Sequence, residues 1–216
     1  MTMTQKILKR VVDVLISVAA LIVLSPLMLI IGLAVRLTSP GPILFCQSRV
    51  GQGGKIFTCY KFRTMYVDAP DIRNPDGSTF NAEDDPRLTR VGRFLRKTTL
   101  DELPQFFNVL KGDMSIVGPR PDLPDQICFY SERHKKRLLV KPGMTGWAWI
   151  HGRNSIPWEL RRDLDVEYVE NYSLWKDFYI LLKTIPMVLF AKGVYVSPDI
   201  LNGYKQNEKN LSAESK

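Results

Sequence analysis

From Val14 to Val35 the chain carries no charge, a run of 22 residues that is long enough to cross a bilayer as one helix. Ser25-Pro26 stands at its centre. Pro26 lacks a backbone N–H and its ring crowds the carbonyl of Ile22, so a kink is predicted there. The Ser25 hydroxyl can bond a carbonyl of the preceding turn and help satisfy the disturbed backbone. The halves 14–24 and 27–35 are each about 14–16 Å long, which reaches the bilayer midplane. Lys6, Lys9 and Arg10 precede the run; Arg36, Arg49, Lys55, Lys61 and Arg63 follow it. Basic residues at both ends favour the cytoplasmic side, which a straight span cannot give to both. A re-entrant helix hairpin over 1–37, broken at Ser25-Pro26, is therefore predicted. With no clean small-x-small cleavage site after it, the segment is read as retained rather than as a signal peptide.

Beyond the turn "TSPGP" (38–42), apolar and polar positions alternate in "ILFCQSRV" and "KIFTCYKF". The intervening "GQGG" predicts a β-hairpin; its glycines lack the pattern of a dinucleotide loop. Residues 67–90 are polar and rich in Asp, Asn, Pro and Gly, which reads as a loop placed over a site. Helical spacing returns over 87–111, where Leu100, Leu103, Phe106, Phe107 and Leu110 make an apolar stripe. "MSIVGPRPDLP" reads as extended, 123–138 as a helix, and "KPGMTGWAWIHGRN" as a turn, short strand and loop. Two amphipathic helices fill 157–190, the second capped by Ser173. Its aromatics beside Lys176 and Lys183 suit either a lipid interface or a core-facing helix. The fold class expected is α+β: the hairpin anchor, a cytoplasmic domain over 38–202 with a small sheet and interfacial helices, and a polar, loose tail over 203–216.

A formal charge of +8, from 30 Lys and Arg against 22 Asp and Glu, points to anionic partners. The apolar anchor favours lipid headgroups and phosphorylated substrates. Nucleic acid is disfavoured because no stretch interleaves basic and aromatic residues. Cys46, Cys59 and Cys128 are odd in number and not in metal-ligand spacing, and only His134 and His151 accompany them. Reduced thiols without a zinc site are expected.

Candidate chemistry concentrates in "GRFLRKTTLDELPQFFNVLKGDMSIVGPRP" (92–121). Pro104 fits the first turn of a helix, which should start near 99–101. Asp101 could be its N-cap, or Thr99 and Glu102 a capping box. The same placement suits an ionised nucleophile at the positive end of a helix, beside a Glu able to bind Mg²⁺ or carry a proton. Lys61, Arg96, Arg120 and Arg153 are candidate phosphate-binding cations, with Arg120 clamped between Pro119 and Pro121. Solvated surface charges remain the competing account for each.

The Ser25-Pro26 pair, "YKFRTM" (60–65), "TLDELPQFFNVLKGDMSIVGPRP" (99–121) and "KPGMTGWAWIHGRN" (141–154) together resemble the bacterial sugar transferases. More narrowly, they resemble the small monotopic phosphoglycosyl transferases, without the extra N-terminal spans of larger members. The resemblance covers about 5–190. It implies a re-entrant helix on the cytoplasmic face of the bacterial inner membrane, a nucleotide-sugar donor, usually UDP-linked, a polyprenyl phosphate acceptor, and Mg²⁺. It places the dyad on Asp101 and Glu102, as nucleophile and metal site, and the basic positions on Lys61, Arg96, Arg120 and Arg153. His151 departs from the polar amide expected there, and bears on donor preference. A non-catalytic basic scaffold at the membrane and a glycosyltransferase releasing UDP are the alternatives. Sugar identity and homo-oligomer formation are left open.

Overall fold

Helix α1 runs from Met3 to Thr38 in the computed structural model, which describes residues 1–197, 199 and 200. The predicted tail over 203–216 lies outside the described residues, as do positions 198, 201 and 202 of the expected 38–202 domain. At 36 residues α1 is about 54 Å long, and it is the one helix among the described residues long and apolar enough to cross a membrane. The helical assignment continues through Pro26 rather than stopping there. Ser25 Oγ donates to the Ile22 carbonyl at 2.9 Å, the carbonyl that Pro26 leaves without its N–H partner. A local side-chain bond thus keeps the backbone satisfied where two separate half-helices were expected.

Both ends of α1 are held by the same body. Near its start, Lys9 pairs with Asp177 at 2.6 Å, and Arg10 donates to the carbonyls of Val109 and Leu110 at 2.6 and 2.8 Å. Asp13, buried, accepts from Ser115 Oγ at 3.0 Å and Ile116 N at 2.9 Å. Near its end, Ile31 and Val35 pack with Phe62 and Leu95. Ile22, Val23, Leu29 and Ile30 between them are exposed.

The hairpin is found as expected. Strand β1 (Leu44–Val50) pairs antiparallel with β2 (Ile56–Phe62), Gln47 opposite Cys59, across the turn at Gly51–Gly54. Arg63, expected only as a flanking charge, is buried. Its guanidinium bonds Pro42 O, Ser39 Oγ and Ser39 O at 2.6, 2.5 and 2.9 Å and fastens the turn after α1.

The predicted helix over 87–111 is two. Helix α2 (Arg90–Thr98) ends where Thr99 turns left-handed (φ 63°), a 3₁₀ turn spans Leu100–Glu102, and α3 covers Gln105–Lys111. Pro104 sets that later start, because it donates nothing to the preceding turn. Strands β3 (Ser115–Val117) and β4 (Gly143–Thr145) form a short parallel pair. Residues 123–138 form no α-helix; two 3₁₀ turns, Pro124–Phe129 and His134–Leu139, stand there. Asp122, Tyr130 and Arg137 bond one another across the break between them.

Helices α4 (Trp147–Ile150), α5 (Trp158–Glu170) and α6 (Leu174–Leu189) follow, and Ser173 caps α6 by accepting from Lys176 N. The core gathers Cys59, Val109, Met114, Ile116, Val117, Tyr168 and Ile180. On α6 Ile180 is buried, whereas Trp175, Phe178, Leu182, Ile185 and Leu189 are exposed. Only a minor share of its apolar surface therefore faces the core.

Candidate active site

Asp101 and Glu102 sit on the 3₁₀ turn between α2 and α3 and are 7% and 5% exposed. Neither capping account holds: Thr99 makes no side-chain cap, and Asp101 lies inside the turn. Glu102 Oε1 accepts from Lys61 Nζ at 2.8 Å and from Arg120 at 2.9 Å. Burial pushes the Glu102 carboxyl up, but Arg120, Lys61 and Arg153 outweigh it and hold the group well below the usual carboxylate range.

The neighbouring carboxylate is different. Asp101 makes no hydrogen bond or ion pair among the described residues. Burial raises its pKa and the Glu102 charge adds to this, against the pull of Lys61, Arg96 and Arg153. Asp101 precedes α3 rather than standing at its N-terminus, so nearby cations and not a helix dipole supply the pull against desolvation. Two adjacent carboxylates pushed apart in this way have distinct roles available, one fixed as an anion and one poised for chemistry.

Three of the four predicted cations reach the dyad or its turn. Lys61, on β2, and Arg120 clasp Glu102 directly. Arg153, buried, donates to Thr99 Oγ1 at 3.0 Å and lies 4.5 Å from the Trp149 ring centre. Arg96 is set further off. It donates to Thr64 Oγ1 at 3.3 Å and Asn81 Oδ1 at 3.2 Å, and stands 3.8 Å from Asp85; its influence on Asp101 is through space.

The Arg120 loop is held by residues the sequence gave no reason to single out. Arg137 donates to Arg120 O at 2.9 Å and Arg49 to Pro121 O at 2.9 Å. Gly118, Gly143 and Gly146 let this loop lie on β4, since a Cβ on any of them would strike the facing backbone. Asn81 and Tyr195, whose buried hydroxyl has no partner among the described residues, also escaped notice, and Thr99 was considered only as a cap. Tyr195 comes from a segment with no motif signal, and the loop 67–90 offered no means of choosing among its polar residues. His151 is exposed, bonds Trp147 O at 2.8 Å and stacks on that ring. Buried Cys59 has its thiol pushed up by desolvation, unsuited to a nucleophile.

No cluster of three or more His, Cys, Asp or Glu side chains is present among the described residues. Magnesium does not require one, as it is held by one or two carboxylates together with phosphate oxygens and water. The dyad, with Asp101 unpaired, fits that donor set.

An apolar groove of about 490 Å³, lined by Leu44, Tyr60, Pro104, Phe107, Leu110 and Lys111, opens beside the turn that carries the dyad.

A family model described as bacterial sugar transferase matches residues 4–191. The undecaprenyl-phosphate galactose phosphotransferase of Salmonella typhimurium is 43% identical over 203 residues, 89% of this chain and 42% of that protein. The uncharacterized sugar transferase EpsL of Bacillus subtilis is 47% identical over 188 residues, 87% of this chain and 90% of the relative. A UDP-N-acetylgalactosamine-undecaprenyl-phosphate N-acetylgalactosaminephosphotransferase of Aeromonas hydrophila is 42% identical over 196 residues, 86% of this chain and 44% of its own length. The chain thus spans less than half the length of the Salmonella and Aeromonas proteins.

Proposed function

The chain belongs to the bacterial sugar transferase family, and from that premise we propose that it moves a sugar 1-phosphate from a UDP-sugar to a polyprenyl phosphate, releasing UMP, as a membrane step of glycan assembly. The observation that carries this is the division within the dyad. Glu102 is locked by two cations, while Asp101 beside it is buried and unpartnered. Asp101 Oδ attacks the sugar-bearing phosphorus, the bond from that phosphorus to the UMP oxygen breaks, and UMP leaves. An oxygen of the acceptor phosphate then attacks the same phosphorus and expels Asp101, giving the polyprenyl-diphospho-sugar.

Lys61, Arg120 and Arg153 offset the charge that builds on the phosphoryl oxygens. Glu102 keeps Lys61 and Arg120 aimed at that position. Asp101 and the second oxygen of Glu102 would hold Mg²⁺ together with donor phosphate oxygens, where the ion supplies charge neutralisation. The apolar groove beside Pro104 suits the first prenyl units of the acceptor.

For the anchor we propose return rather than crossing, with the domain on the cytoplasmic face of the inner membrane. Contacts of Lys9, Arg10 and Asp13 at one end of α1 and Ile31 and Val35 at the other, all to one body, support it. Exposed Trp175, Phe178, Leu182 and Leu189 make α6 a candidate to lie in the interface and set the dyad at headgroup depth.

The test is a nucleotide-release assay over a panel of UDP-sugars with polyprenyl phosphate and magnesium present. UMP release that is lost in Asp101→Asn is the expected result. UDP in place of UMP would establish simple glycosyl transfer instead, and neither nucleotide would leave a scaffold.

A further inference from the structure

Arg120 and Arg153 serve two spaces. Besides approaching the dyad, both line a cavity of about 30 Å³ enclosed by the 118–122 loop, β4, α4 and the start of α5. Room of that size admits about two water-sized groups, too little for a base or a sugar ring.

The walls are strongly cationic. Arg137, Arg161 and Arg162 join Arg120 and Arg153, against the carboxylates of Asp122 and Asp165. Both acids are already committed. Asp122 Oδ2 accepts from Arg137 at 2.6 Å and from Tyr130 Oη at 2.7 Å, and Asp165 Oδ2 accepts from Arg137 at 2.7 Å.

The donors are not all committed. Arg137 Nε, Trp149 Nε1, Arg153 Nε and Arg162 Nε are buried N–H groups without an acceptor among the described residues. Their residues are 5%, 5%, 6% and 8% exposed, and all four line this cavity. An unpaired buried donor forfeits its hydrogen bond to water without replacement, so several on one small space call for an occupant rich in acceptors. Cation–ring stacking of Arg162 on Trp158 at 4.3 Å and Arg153 on Trp149 at 4.5 Å holds two of the guanidinium planes in place.

We propose that this cavity is a phosphate subsite that takes two oxygens of the phosphate of the nucleoside monophosphate, with Trp149 and Arg162 as binding residues beyond the dyad and its cations. The identity of that nucleotide rests on the phosphoglycosyl transfer proposed above; the affinity for a phosphate group does not. Because Arg120 and Arg153 are shared, two oxygens of the leaving phosphate are received in this space as its bond to the sugar-bearing phosphorus breaks.

Calorimetric titration of the full-length protein in detergent with UMP, uridine and inorganic phosphate tests this. Trp149→Phe keeps the ring beside Arg153 and removes one N–H; Arg162→Lys keeps the charge and removes the Nε–H. Each is expected to weaken UMP and inorganic phosphate about tenfold, with no change for uridine, and to raise the inhibition constant of UMP as product. Unaltered UMP and phosphate affinity in both folded variants overturns the subsite, as does a UMP-soaked crystal showing water alone in the cavity. Wild-type protein that binds phosphate with this sensitivity but releases no UMP from any donor would remove the reaction and leave the subsite standing.

Discussion

Arg153 donates a 3.0 Å hydrogen bond to Thr99, and both residues hold left-handed backbone, with φ of 56° and 63°. Such a conformation costs a non-glycine residue on the order of 1–3 kcal/mol, and a β-branched threonine least readily adopts it. The two strained points therefore face each other across the site, one on the turn that carries the dyad and one on the loop that carries its cation.

Thr99→Gly separates strain from function. It relieves the backbone and removes the acceptor of Arg153, so unfolding temperature is expected to hold or rise while nucleotide release falls about tenfold, the worth of a hydrogen bond to a charged group. Thr99→Ser keeps the oxygen and should keep the rate. Thermal unfolding and turnover measured on the same preparations check both statements.

Lys61 is the largest influence lowering Asp101 against its burial. On the proposed reaction Asp101 must be ionised to attack, so the acid limb of kcat/KM against pH is expected to be its own and to stand above the ordinary aspartate value. Lys61→Met should move that limb to higher pH as well as reduce the maximum. A limb that stays in place would take the nucleophile's titration away from Asp101.

Glu102 gives a stability effect of the opposite sign. Its folded pKa lies well below 4.5, so its contribution is full above that pH and is lost as pH falls through the depressed value. Glu102→Gln should cost about 3 kcal/mol near neutrality. Denaturant unfolding in micelles should show the gap between wild type and variant narrowing below pH about 4.5.

Asp13 joins the anchor to β3 through two hydrogen bonds. Asp13→Ala leaves the Ile116 N–H without a partner and is expected to cost about 3 kcal/mol. Limited proteolysis between α1 and β1 should accelerate, and Asp13→Asn should lie between the two.

The orientation of α1 is open to direct labelling. With Cys46, Cys59 and Cys128 replaced by serine, single cysteines at Met3 and Thr38 should both resist an impermeant maleimide in intact cells and both react in inverted vesicles. Reaction of one of them from outside would establish a crossing.

The elements with strong periodicity or turn chemistry were legible in the sequence. These include the hairpin around Gly51–Gly54, the capped helix after Ser173 and the extended stretch expected over 114–124, which runs to Leu123 before Pro124 opens a 3₁₀ turn. Asp101, Glu102, Lys61 and Arg120 were likewise accessible, because motif density and proline placement marked them. Long-range pairing was not. Nothing local to Asp13, Arg63 or Arg137 tells which donor or acceptor, up to 103 residues away, will satisfy it. The helix expected over 123–138 failed for this reason, as tertiary bonds of Asp122 and Arg137 outweighed helical propensity. The burial of Asp101 was not legible because burial is a property of the fold, not of the neighbouring residues in sequence.

The bond between Asp13 and Ser115 also sets an order of events in time. The two residues are 102 apart in the chain, so at about 5–20 residues per second the carboxylate is made on the order of 5–20 s before its partner. Throughout that interval the apolar helix has lipid as its one favourable surrounding. On the proposed placement the anchor is seated first, and the rest of the domain is then assembled around a helix already in the membrane.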